Sequence, residues 1–377
     1  MDWFYYLISF FVIINTIVFV HEFGHYLAAR SVGVKITTFS LGMGPELFGF
    51  NDKSGTRWRF SLLPIGGYVM MLGDGDASST TEDEESIKDL TEEEKQHSII
   101  YKNNWEKMRV AFAGPFANYI YAFVVLFFIG ISCGVPKSLP IIGEVMKGSA
   151  AEAAGFVAGD KILAIDGKQV EKFRDVLINI SCSDKEKLSF EVERNGKPQI
   201  IAVTPQVTEK KKLFGGVKKT RLIGIKPGDP IFERASIIDS FTGAIGTCVS
   251  TTQEMCYMFS TLFAGKKSLD DFGGIVHMAS VAGDLSKSGN FLLLILFTVT
   301  LSLNLGFINL FPLPVLDGGR IVLCFIEQVI KRKLNEKFQE YIMIACALLL
   351  ILLMLATTIN DILRLESVNK FVCRILE

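Results

Sequence analysis

Four stretches of the chain run without a charged residue for about the 20 residues a helix needs to cross the apolar core of a bilayer. They are residues 3–20, 110–135, 290–316 and 341–360. Each predicts a transmembrane helix. Between the second and third the pattern changes. Short alternating runs such as Lys161-Ile162-Leu163-Ala164-Ile165 and Leu188-Ser189-Phe190-Glu191-Val192 are followed by turns at Asp166-Gly167 and Arg194-Asn195-Gly196. That alternation predicts a small α+β domain over residues 138–228. Residues 231–263 space their apolar positions around Glu233, Arg234, Asp239 and Glu254. They predict an amphipathic helix or pair at the membrane surface, with a fifth span as the alternative. Residues 36–72 hold Gly-rich apolar pieces and predict two β-hairpins that dip toward the membrane. Residues 74–96 are strongly acidic and read as a solvated stretch.

The expected fold class is therefore an α-helical polytopic membrane protein with four transmembrane helices, membrane-associated β-hairpins and an inserted α+β domain. Its divisions are residues 1–30 (first helix), 31–107 (hairpins and acidic segment), 108–136 (second helix) and 137–229 (α+β domain). Residues 230–289 (surface helices), 290–318 (third helix), 319–340 (loop) and 341–377 (fourth helix and tail) complete them.

Composition agrees with a membrane protein: of 377 residues, 49% are hydrophobic and 30 are Phe. The 39 basic and 40 acidic residues nearly cancel, which leaves no large basic field for nucleic acid. The seven Cys are odd in number and form no C-x-x-C, so neither a disulfide framework nor a Cys-built zinc site is expected. No basic region precedes the first helix and no A-x-A site follows it, so it is expected to be retained. Arg30, Lys35, Lys102, Lys107 and Arg109 flank the first loop, and Arg320, Lys331, Arg332, Lys333 and Lys337 fill the loop between helices three and four. The positive-inside rule places both loops in the cytoplasm, and both termini and residues 136–289 outside. Arg364, Lys370 and Arg374 in the tail run against that assignment.

Candidate chemistry sits where the first apolar run ends. His21-Glu22-Phe23-Gly24-His25 is H-E-x-x-H. On a helix, positions i and i+4 share a face, so His21 and His25 can ligate one metal ion, with Glu22 beside them as a proton acceptor. Zinc in such a site lowers the pKa of a bound water toward neutrality. The bland alternative is a polar helix end satisfied by water, but a His-Glu-His cluster at membrane depth is costly without a function. A hydrolytic zinc site takes a third protein ligand. Asp317 is the candidate, because helices one and three run in the same direction and end at similar depth. Its alternative role is a helix N-cap. Pro312 and Pro314 break the helix ahead of it and free backbone groups for a polar pocket. Asn309 could hold a peptide carbonyl or a developing oxyanion, or make an interhelical hydrogen bond. For Asn304 the interhelical bond is the simpler reading.

These residues together resemble the bacterial site-2 proteases, intramembrane zinc metalloproteases, in their RseP branch. His21–His25 is similar to the family's first motif. The stretch Asn309-Leu310-Phe311-Pro312-Leu313-Pro314-Val315-Leu316-Asp317-Gly318 is similar to its second, whose Asp is the third zinc ligand. Phe39-Ser40-Leu41-Gly42-Met43-Gly44-Pro45 and Pro64-Ile65-Gly66-Gly67-Tyr68-Val69 resemble the membrane-associated hairpins, and Ala113-Gly114-Pro115-Phe116-Ala117-Asn118 resembles the start of the second helix. Ser149 to Gly155 and Ala158 to Gly167 look like a single PDZ domain, where the best-known RseP has two. The resemblance implies one Zn2+ per chain on His21, His25 and Asp317, with Glu22 catalytic and Asn309, Gly66 and Gly67 in contact with substrate. It also implies single-span membrane substrates, such as an anti-sigma factor or remnant signal peptides, cut after a first cleavage. It implies a bacterial inner-membrane location, with the active site near the cytoplasmic face and the PDZ domain periplasmic. The rival expectation is a catalytically inactive membrane or PDZ-binding protein of the same fold. Intact His21, Glu22, His25 and Asp317 argue against it.

Overall fold

The computed structural model describes residues 2–73, 90–137, 139–183, 185–211, 217–228, 231–264 and 273–364. In chain order the elements are α1 (Asp2–Ser31), β1 (Ile36–Asn51), β2 (Arg57–Met71), α2 (Glu92–Gln96), α3 (Asn104–Ser132), β3 (Val135–Lys137), β4 (Ile142–Val145) and α4 (Ala150–Ala153). Then come β5 (Lys161–Ile165), β6 (Lys168–Gln169), α5 (Phe173–Cys182), β7 (Leu188–Arg194), β8 (Lys197–Val203), β9 (Gln206–Lys211), β10 (Val217–Leu222), β11 (Ile225–Pro227) and β12 (Ile231–Glu233). The chain ends with α6 (Ile237–Phe263), α7 (Ile275–Lys287), α8 (Phe291–Asn309), α9 (Asp317–Ile330) and α10 (Glu336–Arg364). Among the described residues, four helices are long and apolar enough to cross a membrane: Tyr5–Ser31, Asn104–Ser132, Phe291–Asn309 and Lys337–Ile362. They correspond to the four uncharged stretches. The chain divides into two compact units, one of residues 1–126 with 244–377, the other of residues 127–243.

In the first unit, α1 packs at two levels. Ile13 and Ile17 are buried against Ala282 of α7 and Leu301 of α8. About two and a half to three turns beyond Ile17, Tyr26 and Ala29 pack with Ile36 and Phe39 of β1, Met71 of β2 and Val110 of α3. Gly24 lets α1 and α3 approach closely, because a Cβ there would lie 2.7 Å from the Ala117 Cβ.

The 36–72 segment folds differently from two separate hairpins. Residues 46–51 pair antiparallel with 57–61, closed by a turn in which Asp52 Oδ1 accepts from the Ser54 and Thr56 amides at 2.8 and 2.9 Å. Residues 38–41 pair on one side with 67–70 and are matched on the other with 57–60. Four short segments thus share one sheet. The glycines allow this folding: Gly42, Gly44 and Gly66 all take positive φ. Of the acidic stretch, residues 74–89 lie outside the described residues. Residues 92–96 form one turn, started by a capping box between Thr91 and Glu94.

Two further expectations need correction. The third helix does not run to residue 318. It stops at Asn309, residues 310–316 form turns, and a new 14-residue helix begins at Asp317. Pro312 and Pro314 lack the amide hydrogens that a continuing helix would use. The loop expected over 319–340 is therefore mostly the helix α9. Within 230–289, α7 packs against α1 and α8 through Ala282. Ala282 and Gly283 are buried, and the Tyr6 ring lies over Gly283 while its hydroxyl donates to Asp284 at 2.7 Å. Small residues permit that approach.

The second unit is an α+β module. Its antiparallel sheet has the order β6-β5-β7-β8. The turns at Asp166-Gly167 and Asn195-Gly196 carry positive φ at both residues, which suits tight hairpins. Phe173, Val176 and Ile180 on one face of α5 are buried, and Val176 and Ile180 pack with Ile162, Leu188 and Phe190. Asp160 is fully buried and takes a two-point contact from Arg194, with both N–O distances 2.7 Å. Burial opposes the charge on Asp160, but the Arg194 guanidinium and the Val157 amide outweigh it and hold the carboxyl below its ordinary pKa.

Candidate metal centre

His21 and His25 stand one turn apart on α1 and are both buried. Asp317 is the first residue of α9, and its carboxylate turns toward both rings and not toward its own helix end, where Leu316 is the N-cap. The three donor atoms form a small triangle. His21 Nε2 and His25 Nε2 are 3.2 Å apart, and Asp317 Oδ2 lies 3.1 Å from the first and 3.4 Å from the second. Tetrahedral ligands about 2.0–2.1 Å from a zinc ion are spaced by about 3.3 Å. The triangle has that edge, so these donors fit one zinc ion. Among the described residues this is the one group of three such donors.

Both rings are oriented from α3. His25 Nδ1 donates to the Val110 carbonyl at 2.8 Å, which leaves Nε2 unprotonated and free to ligate. His21 Nδ1 faces the Asn118 side-chain amide at 3.2 Å. As placed, that amide presents Nδ2 to the ring, and its Oδ1 is buried without a partner. Turned over, it presents Oδ1 to an Nδ1–H and gives His21 the same ligating tautomer as His25. Gly114 supplies the room, because a side chain there would overlap the His25 ring.

The remaining candidates gather around this triangle. Asn309, the last residue of α8, holds Nδ2 3.3 Å from His21 Nε2. Glu22 is half-buried on the adjacent face of α1, against the strand that carries Gly67. A Cβ on Gly67 would lie 2.8 Å from the Ser40 carbonyl and 3.2 Å from Glu22 Cγ, so bare backbone is needed beside the candidate base. Gly66 takes φ +78° against Met43. The Gly318 and Gly319 backbone packs into the carbonyls of Leu310 and Leu313, where side chains would clash. His97 instead bonds the Gly33 carbonyl, and His277 is not in the cluster. Reading the sequence did not identify the roles of Asn118, Val110 and Gly114. The resemblance of residues 113–118 to a family helix start is the one signal for Gly114 and Asn118, and Val110 has none.

The model of peptidase family M50 matches residues 9–353. The chain belongs to that family. Its relatives agree over nearly their whole lengths. A protein of Mesorhizobium japonicum named as a zinc metalloprotease is 34% identical over 360 residues, covering 94% of this chain and 98% of that one. Metalloprotease MmpA of Caulobacter vibrioides is 32% identical, covering 97% of each chain. A Rickettsia conorii protein, also named as a zinc metalloprotease, is 34% identical, covering 96% of this chain and 99% of its own. Family and donor set together assign zinc as the cofactor.

Proposed function

We propose that this family M50 metalloprotease is an intramembrane endopeptidase of the RseP-like site-2 type, cutting single-span membrane proteins within their helices. The observation that carries this is the convergence of His21, His25 and Asp317, with Glu22 adjacent, where the first apolar helix meets the turn after the third. Bound zinc supplies Lewis acidity, polarising the scissile carbonyl and making water acidic. Glu22 accepts the proton of the attacking water and delivers it to the leaving amine as the C–N bond breaks. Asn309 Nδ2 donates to the carbonyl oxygen as negative charge builds on it. The substrate helix must first unwind, because its own hydrogen bonds shield the peptide. Residues 67–71, which pair with β1 on one side only among the described residues, can take the unwound segment as an added strand.

In this reading the basic loops face the cytoplasm of a bacterial inner membrane, and the termini and residues 137–229 face the periplasm. The sheet of the second unit, with α5 against it, supports a PDZ domain there, acting as a size filter or a peptide reader. Anti-sigma factors and remnant signal peptides, already cut once, are the substrates that family analogy suggests. The test uses purified protein in liposomes with a single-span substrate whose outer domain has been trimmed. Glu22→Gln should keep zinc and substrate binding yet lose cleavage by at least about a hundredfold. Cleavage by Glu22→Gln at the wild-type rate would overturn the mechanism. Wild type that binds the substrate but never cuts it would favour the inactive binder.

A further inference from the structure

The helix that carries Asp317 has a second face with no role in the metal centre. Residues 310–316 tie α9 to α8, and residues 331–335 tie it to α10. Both neighbours are membrane-crossing candidates. At about 3.5 Å per residue, neither connection reaches beyond about 25 Å. With its first turn packed against Leu310 and Leu313, α9 is held close to one membrane surface. Val322, Phe325 and Val329, spaced three and four apart on one side, are 39%, 53% and 65% exposed, so the described residues leave that stripe uncovered. The helix ends at Lys331 in a left-handed turn (φ 57°). Lys331, Arg332, Lys333 and, after the turn, Lys337 are all exposed. The nearby Glu327 is half-buried and accepts from the Leu334 amide at 2.9 Å.

An exposed apolar stripe that ends in cations, held beside a bilayer, matches a negatively charged lipid surface. We infer that α9 and its following turn bind anionic phospholipid headgroups. Val322, Phe325 and Val329 enter the acyl region, while Lys331, Arg332 and Lys337 meet the phosphates. Asp317 begins the same helix, so this contact also holds the third ligand in place beside His21 and His25. Simple complementation of the α9 dipole by its terminal cations predicts no dependence on lipid charge.

The test is hydrogen exchange of residues 320–335 in the full chain, reconstituted in nanodiscs of phosphatidylcholine alone or mixed with phosphatidylglycerol. Exchange should slow by about tenfold or more in the anionic discs. Lys331→Gln/Arg332→Gln/Lys337→Gln should abolish the difference, and Lys331→Arg/Lys337→Arg should keep it. Zinc release to a chelator should slow in parallel in anionic discs. Equal exchange in both discs, or a difference that survives neutralisation, would overturn headgroup binding. Lipid-dependent exchange with lipid-independent zinc release would overturn the link to Asp317. None of these readings needs cleavage, so they stand apart from the proposed protease activity.

Discussion

At the scale of single residues, the centre depends on groups that never touch substrate. Asn118 is fully buried and faces His21 Nδ1. Asn118→Leu should weaken zinc binding by about 10–100-fold in chelator competition, whereas Asn118→Asp should keep it, because a carboxylate accepts from the same Nδ1–H. Equal affinity in all three proteins would remove Asn118 from the metal centre. Gly114→Ala places a methyl group against the His25 ring and should lower zinc occupancy without changing any ligand. Normal zinc content in that variant would contradict the packing argument. The two histidines were legible from the sequence because a helix makes i and i+4 neighbours by local geometry alone. Asn118 was not, since 97 positions separate it from His21 and no spacing rule joins them.

At the scale of elements, legibility followed how local the determining forces are. The strands around Asp166-Gly167 and Asn195-Gly196 were readable because alternation and turn chemistry sit within a few residues. The sheet of residues 36–71 was readable only as strand-like, because its segment order depends on long-range pairing. The sequence of residues 319–340 predicts a loop where α9 forms. Arg320 within the helix, and Lys331, Arg332, Lys333 and Lys337 after it, give a topology signal that masks the apolar spacing of Val322, Phe325 and Val329. In the second unit, the Asp160–Arg194 pair makes a pH-dependent contribution. The folded pKa of Asp160 lies below its unfolded value, so the stabilisation is complete above the ordinary carboxylate pKa of about 3.9. It is lost as the pH falls through the lower folded value. Arg194→Met should therefore reduce exchange protection of β5 and β7 at neutral pH, and the deficit should shrink below about pH 3.9. A deficit unchanged at pH 2 would assign it to lost packing alone.

At the scale of the whole molecule, the four apolar helices and the His21–His25–Asp317 cluster found among the described residues define what the chain can be. The spans were legible because the bilayer imposes a length and forbids charge. The meeting of His21 and Asp317, nearly 300 residues apart, is legible through the parity of the helices between them and through the resemblance of residues 309–318 to a family motif. Membership of family M50 and three donor atoms at tetrahedral spacing now support a zinc site formed by two distant parts of the chain. Zinc per chain, measured in detergent-purified wild type, Asp317→Ala and Glu22→Gln, tests that most directly. The account predicts about one zinc ion in wild type and in Glu22→Gln, and a clear loss in Asp317→Ala. Zinc-free wild type after purification without chelator, or full zinc in Asp317→Ala, would contradict it.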